Sequence, residues 1–281
     1  MEPKLFINFI DYYNDNIDDM FDVIKNVGFD GINFSWDEKN DNFKLAEKIK
    51  QRNLLIDYIH APFHNINQFW YEDSIEKDNI LSTLKSCIDF CHEINVNKMV
   101  IHSFIGFTEH NPTSVGIKYF EEVLKYAKQY NILVCFENVE GEEYLASVFK
   151  ELFSKYDNAR FCLDTGHELC YNRGVDQLAM YGKYLACLHI NDNIGVTGED
   201  IWWTDDLHYI PGDGIMDIEW FVQRLKKYEY KGNLSLELKI SNENTKIYQK
   251  YRNMSKFEYI NEAYKSLQNI KNMFVKKRGV L

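Results

Sequence analysis

The chain has 281 residues, 45% of them hydrophobic and 27% charged, with 32 Lys and Arg against 43 Asp and Glu for a net charge of −11. That apolar content excludes a disordered chain, and the 4 Pro and 14 Gly are too few for linker-rich or collagen-like sequence. The acidic balance argues against broad binding to nucleic acid or anionic membrane.

In chain order, short apolar or β-branched runs alternate with amphipathic segments. KLFINF (4–9) reads as a strand, followed by the helix IDDMFDVIKNVG closed by Gly28. DGINFSW (30–36) and LLIDYIH (54–60) are the second and third strands. The helix SIEKDNILSTLKSCIDFCHEI follows, with Ser74 as its expected N-cap and Leu81, Leu84 and Ile88 on one face. Strand KMVIHS (98–103), helix TSVGIKYFEEVLKYAKQY and strands ILVCFEN (132–138) and RFCLDTG (160–166) come next. A short helix near 175–183 leads to strand LACLHIND (185–192), helix IEWFVQRLKKYEY, strand NLSLEL (233–238) and a long C-terminal helix from Lys256.

Eight strand–helix units predict an α/β fold, a (β/α)8 TIM barrel formed as one domain over residues 1–281. No G-x-G-x-x-G follows the first strand and no G-x-x-x-x-G-K-[ST] occurs, against a dinucleotide or P-loop fold. Long loops follow strand 7 (193–216) and strand 8 (239–254), on the face where such barrels build their sites. The six Cys contain no C-x-x-C pair and read as reduced thiols. The N-terminal apolar run is too short for a signal peptide, and no segment approaches the roughly 18 apolar residues of a membrane span. A cytoplasmic protein without membrane or nucleic-acid partners is expected.

The chemistry concentrates at strand ends. Strand 3 ends in His60, strand 4 in His102, strand 5 in Glu137, strand 6 in Asp164 with His167 three residues on, strand 7 in His189 and strand 8 in Glu237. The loop after strand 7 adds Asp206 and His208. In a barrel these groups converge on one mouth. So many acids there would repel each other unless a cation neutralised them. Carboxylates mixed with imidazoles suit one divalent Mn²⁺, Zn²⁺ or Co²⁺ rather than Mg²⁺. Glu137, Asp164, His189 and Glu237 are the expected ligands; His60, His102, Asp206 and His208 are further metal or substrate candidates. Cys135, Cys162 and Cys187 lie two residues before these ligands and so point into the barrel one layer lower, as packing. Aromatic groups at the same end, Trp36, Trp70, Phe104, Trp202 and Trp203, are candidates for packing on sugar C–H faces. Lys239 is a candidate for a phosphate.

The segments IHAPF (59–63), FEN (136–138), CLDTGH (162–167), LHINDN (188–193), DLHYIPGDGIMDIEW (206–220) and YKGNLSLEL (230–238) resemble the xylose isomerase-like TIM-barrel superfamily over nearly the whole chain. The resemblance implies a metal-dependent sugar, or sugar phosphate, isomerase or epimerase. Such an enzyme abstracts a proton alpha to a carbonyl through a metal-stabilised enediolate. Glu137 and Glu237 would act as the bases, with His167 holding a substrate oxygen. A homodimer is compatible with this. The related type IV apurinic endonucleases hold three zinc ions, and all nine matching positions are present: His60, His102, Glu137, Asp164, His167, His189, Asp206, His208 and Glu237. The acidic charge and scarce Arg count against that branch. A polyol dehydratase or lyase on the same barrel is the other alternative.

Overall fold

The computed structural model describes residues 2–10, 16–107 and 111–276. Its strands are β1 (Leu5–Asn8), β2 (Gly31–Ser35), β3 (Ile59–His60), β4 (Lys98–His102), β5 (Leu133–Glu137), β6 (Ala159–Asp164), β7 (Leu185–His189) and β8 (Leu234–Leu236). The α-helices are α1 (Ile17–Val27), α2 (Asn42–Gln51), α3 (Lys77–Glu93), α4 (Ser114–Gln129), α5 (Glu142–Val148), α6 (Thr165–Leu169), α7 (Gln177–Tyr181), α8 (Ile218–Lys227), α9 (Lys246–Arg252) and α10 (Lys256–Val275).

The strands lie parallel in the order β7-β6-β5-β4-β3-β2-β1-β8. The isolated parallel bridge Ile190–Leu236 joins the two edges. The chain is therefore a (β/α)8 barrel, as expected. Helices cover the outer face, so strands such as β4 are buried at every residue. The helices obey local chemistry. In α1 the Asn16 side chain caps the Asp18 N–H, Phe21 and Ile24 turn inward, and Gly28 at φ 121° closes the helix. Ser255 and Glu258 form a capping box for α10, whose Tyr259, Ile260, Ala263, Leu267 and Ile270 are buried. This helix packs across α1 and α8 on its own barrel.

Three elements differ from the sequence expectation. Strand 3 shrinks to two residues, because Asn33 Oδ1 takes the N–H groups of Asp57 and Tyr58 in place of a backbone ladder. Helix α3 begins at Lys77, after a turn in which Ser74 Oγ accepts the Glu76 N–H. The loop after β8 contains α9, capped by Thr245.

Inside the barrel Cys135, Cys162 and Cys187 pack with Tyr58 and Val100. All six cysteines are free and buried. At the lower end Lys98 Nζ pairs with Asp57 Oδ2 at 2.7 Å. Among the described residues, no helix is long and apolar enough to cross a membrane.

Candidate metal centre and substrate cavity

The pleat that sends the cysteines inward brings residues two positions later to the upper rim. Register places His102 beside Glu137 and Asp164 beside His189. Three clusters result: Glu137, Asp164, His189 and Glu237; His60, His102 and Glu137; and His167, Asp206 and His208. Within each, one donor atom per residue lies within 4.8 Å of the others.

The four-residue cluster is centred on His189 Nδ1. Glu237 Oε2 lies 2.8 Å away, Glu137 Oε1 3.0 Å and Asp164 Oδ2 3.9 Å. One N–H cannot serve three carboxylates, whereas a cation between them can. Donors at about 2.0–2.2 Å from a tetrahedral ion stand about 3.4 Å apart, within the spread seen here. Among the described residues, Glu137 Oε2 and Asp206 Oδ1 are buried oxygens without a hydrogen-bond partner, which suits a cation as well. The donor set therefore fits a divalent metal.

Supporting groups orient the donors. Asn191 Nδ2 donates to Asp164 Oδ2 at 2.8 Å, and the His167 N–H donates to Asp164 Oδ1 at 2.7 Å. His60, His167 and His208 each direct Nδ1 to a backbone carbonyl, of Ala61, Asn138 and Glu237, at 2.8, 2.9 and 2.9 Å. That bond fixes the ring and turns Nε2 to the mouth. His60 Nε2 and His102 Nε2 stand 3.4 and 3.2 Å from Glu137 Oε2. His208 Nε2 lies 2.9 Å from Asp206 Oδ2, and His167 Nε2 3.5 Å from Asp206 Oδ1.

Acids and imidazoles shift each other's protonation. Burial opposes charge on His189, but Glu137 and Glu237 outweigh it and raise its pKa well above the usual range. His208 rises to about 9 against burial, through Asp206. Burial resists the charge on Glu237, yet His189 draws its pKa down to about 2. Asp164 goes the other way, to about 7, mainly because burial penalises its charge.

Above the clusters is a cavity of about 190 Å³ reached by His60, His102, Glu137, His167, Asp206, His208 and Glu237. Phe63, Ile105, Tyr171, Trp203 and Glu140 complete its lining. Of the aromatic candidates, Trp203 lines this cavity, whereas Trp202 is outside the lining, 5.1 Å from Trp203 between ring centroids and stacked on Phe107 at 5.4 Å. Trp36 lines a separate crevice between the loops after β2 and β3. Trp70 and Phe104 are fully buried behind the mouth: Trp70 Nε1 donates to the Ser103 carbonyl at 2.7 Å, and Phe104 stacks on Tyr144 at 3.9 Å. Lys239 is exposed and outside the cavity lining. Glu140 escaped the sequence reading, and Asn138 and Asn191 fell inside the quoted segments FEN and LHINDN without being given a role. Gly141 after Glu140 was the available signal of a turn at the mouth.

A profile described as xylose isomerase-like TIM barrel matches residues 21–257. The uncharacterized protein MJ1311 of Methanocaldococcus jannaschii is 23% identical over 214 residues, 70% of this chain and 69% of that protein. Among solved structures, the IOLI protein with a bound zinc atom has a TM-score of 0.76 at 18% identity, covering 98% of this chain and 100% of that one. An L-ribulose 3-epimerase gives 0.70 at 16%, covering 99% and 100%. A D-psicose 3-epimerase from Clostridium cellulolyticum H10, with D-tagatose, gives 0.68 at 14%, covering 96% and 99%. With the profile spanning most of the barrel and its loops, the chain belongs to the xylose isomerase-like TIM-barrel family.

Proposed function

We propose that the protein is a divalent-metal-dependent isomerase or epimerase of a sugar. The observation that carries this reading is the convergence of Glu137, Asp164 and Glu237 on His189 Nδ1. When bound there, a divalent ion supplies Lewis-acid stabilisation of negative charge on substrate oxygens. The remaining chemistry belongs to side chains. Glu137 and Glu237 reach the mouth from strands three places apart around the ring. Both are ionised: burial opposes their charge, but His189 holds each below the usual carboxylate range. Each can therefore accept a proton from the carbon next to a carbonyl. Removal by one and return by the other inverts that carbon; a shuttle by one alone moves the carbonyl. His167 and His208 hold substrate oxygens.

Glu137→Gln and Glu237→Gln should each lower kcat by at least about 10²-fold, the scale of lost general-base catalysis. Circular dichroism should stay unchanged. Full activity of either variant on the sugar turned over by the parent protein would remove that glutamate from the mechanism.

The three ligand clusters favour one second reading, a trinuclear zinc endonuclease acting at abasic DNA. Elemental analysis separates the two. About one ion per chain supports the isomerase reading; about three zinc ions, with nicking of abasic duplex, would replace it.

A further inference from the structure

We propose that Arg224 is a positioning residue: through Glu168 it fixes the short helix that aims His167 into the cavity. Its effect on turnover rests on the isomerase or epimerase reading; its effect on geometry does not. α6 spans only Thr165–Leu169, little more than one turn, and so short a helix does not hold itself. Yet two groups of the site hang on it. Asp164 caps it, accepting the His167 N–H at 2.7 Å, and His167 Nε2 stands 3.5 Å from Asp206 Oδ1. The orientation of α6 must therefore be set from outside.

Successive residues on a helix stand about 100° apart, so His167 faces the mouth while Glu168 faces α8. Glu168 and Arg224 lie outside the three ligand clusters and the cavity lining, and both are buried. Arg224 Nη2 stands 2.7 Å from Glu168 Oε1, and Nη1 donates to Oε2 at 2.9 Å. The Gln177 N–H also donates to Oε2, at 3.0 Å. Arg224 Nη1 further donates to Asp176 Oδ1 at 2.8 Å, and the guanidinium lies 3.5 Å over the Trp220 ring. A fork held by two bonds fixes an angle as well as a distance, which a point charge does not. α8 in turn is tied to the mouth: just before it, the Met216 N–H donates at 2.9 Å to Asp192, the acceptor that closes the loop carrying Asp206 and His208. The pair thus joins the turn that bears Asp164 and His167 to the element that follows Asp206. Stability alone does not account for it. Two buried charges lose their hydration, and apolar side chains of similar volume brace two helices about as well. What an apolar pair does not supply is a single orientation.

The simpler alternative makes the pair a brace and nothing more. The test uses the full chain loaded with Zn²⁺. In Glu168→Gln combined with Arg224→Met, the glutamine oxygen still accepts the Gln177 N–H and methionine fills much of the space. The melting temperature should stay within about 4 °C of the parent's. The ring-nitrogen resonances of His167, assigned through His167→Asn, should nevertheless move, with those of His60 in place. Initial rates are measured with D-psicose, D-fructose and L-ribulose. kcat should fall by at least about 10-fold with a smaller change in KM, since a misplacement of about 1 Å costs up to about 10²-fold. Arg224→Lys keeps the charge and loses the fork, and should move the same two readings in the same direction.

Parent-like His167 resonances and kcat in a folded variant, whatever its melting temperature, would reduce the pair to a brace and leave the isomerase reading standing. Moved resonances with a parent-like kcat would uphold the positioning of His167 and overturn its part in turnover. If the double variant does not fold, Arg224→Lys decides by the same readings. Absence of turnover of all three sugars by the parent protein would overturn the isomerase reading, and the His167 resonances would still decide whether Arg224 positions that ring.

Discussion

A single glycine shows how tightly the metal-type cluster is built. A Cβ on Gly166 would lie 1.8 Å from Asn191 Oδ1. That amide cannot retreat freely, because its Nδ2 donates to Asp164 Oδ2. Gly166→Ala should therefore push Asn191 off Asp164. Overpacking of this kind costs about 1–3 kcal/mol, and loss of a ligand's supporting partner costs about 10–100-fold in metal affinity. Denaturant titration and Mn²⁺ or Zn²⁺ titration check the two effects. Unchanged affinity would mean that Asn191 does not orient Asp164. At this scale the acids and imidazoles were legible in the sequence, because the two-residue period of a strand fixes which side chains reach the rim. The roles of the amides were not: Asn138 and Asn191 fall within FEN and LHINDN, but nothing in those runs says which group either side chain holds. Nor does aromatic character alone tell Trp203, in the cavity, from Trp70, sealed behind it.

Among the elements, the loop after β7 is held by one carboxylate. Asp192 accepts the N–H groups of Asn193, Gly212, Gly214 and Met216 at 2.7, 2.8, 3.0 and 2.9 Å. The segment that carries Asp206 and His208 runs between these anchors. A second brace is Asp205, which accepts the Thr197 hydroxyl at 2.6 Å and the Trp202 N–H at 2.9 Å. Asp192→Ala leaves several backbone donors without their charged acceptor. It should cost about 1–3 kcal/mol and open the loop to protease between residues 194 and 215, while the barrel keeps its circular dichroism. Resistance equal to the parent protein would show that the loop is held from elsewhere. The sequence located this insertion from its length and turn residues, but the bonds that order it span about twenty positions and leave no local pattern. The same holds for β3, shortened by Asn33 from a neighbouring strand, and for α9, whose short amphipathic turn reads as loop.

For the whole molecule, the mouth stores negative charge that protons or a cation must balance. Without the cation the imidazoles carry the protons. His189 is raised well above the usual range although burial opposes it, because Glu137 and Glu237 outweigh burial. His208 is raised to about 9 for the same kind of reason, through Asp206. Burial lifts Asp164 to about 7, so part of that acid is protonated near neutrality as well. A metal ligand must give up its proton. Protons on His189 and Asp164 therefore compete with the cation directly, and the charge on His208 nearby repels it, so all three oppose binding at low pH and cease to do so as pH rises. Apparent Mn²⁺ or Zn²⁺ affinity should climb from about pH 6 to about pH 9, and binding at pH 7 should release protons, as linkage requires. Calorimetry in two buffers of different ionisation heat measures that release. The bound ion should also stabilise the fold, by about 2.7 kcal/mol at a free concentration near 100 Kd, and a chelator should reverse the gain. Affinity independent of pH would mean that the rings stay neutral in the metal-free chain, leaving the acids to be balanced by something other than His189 and His208.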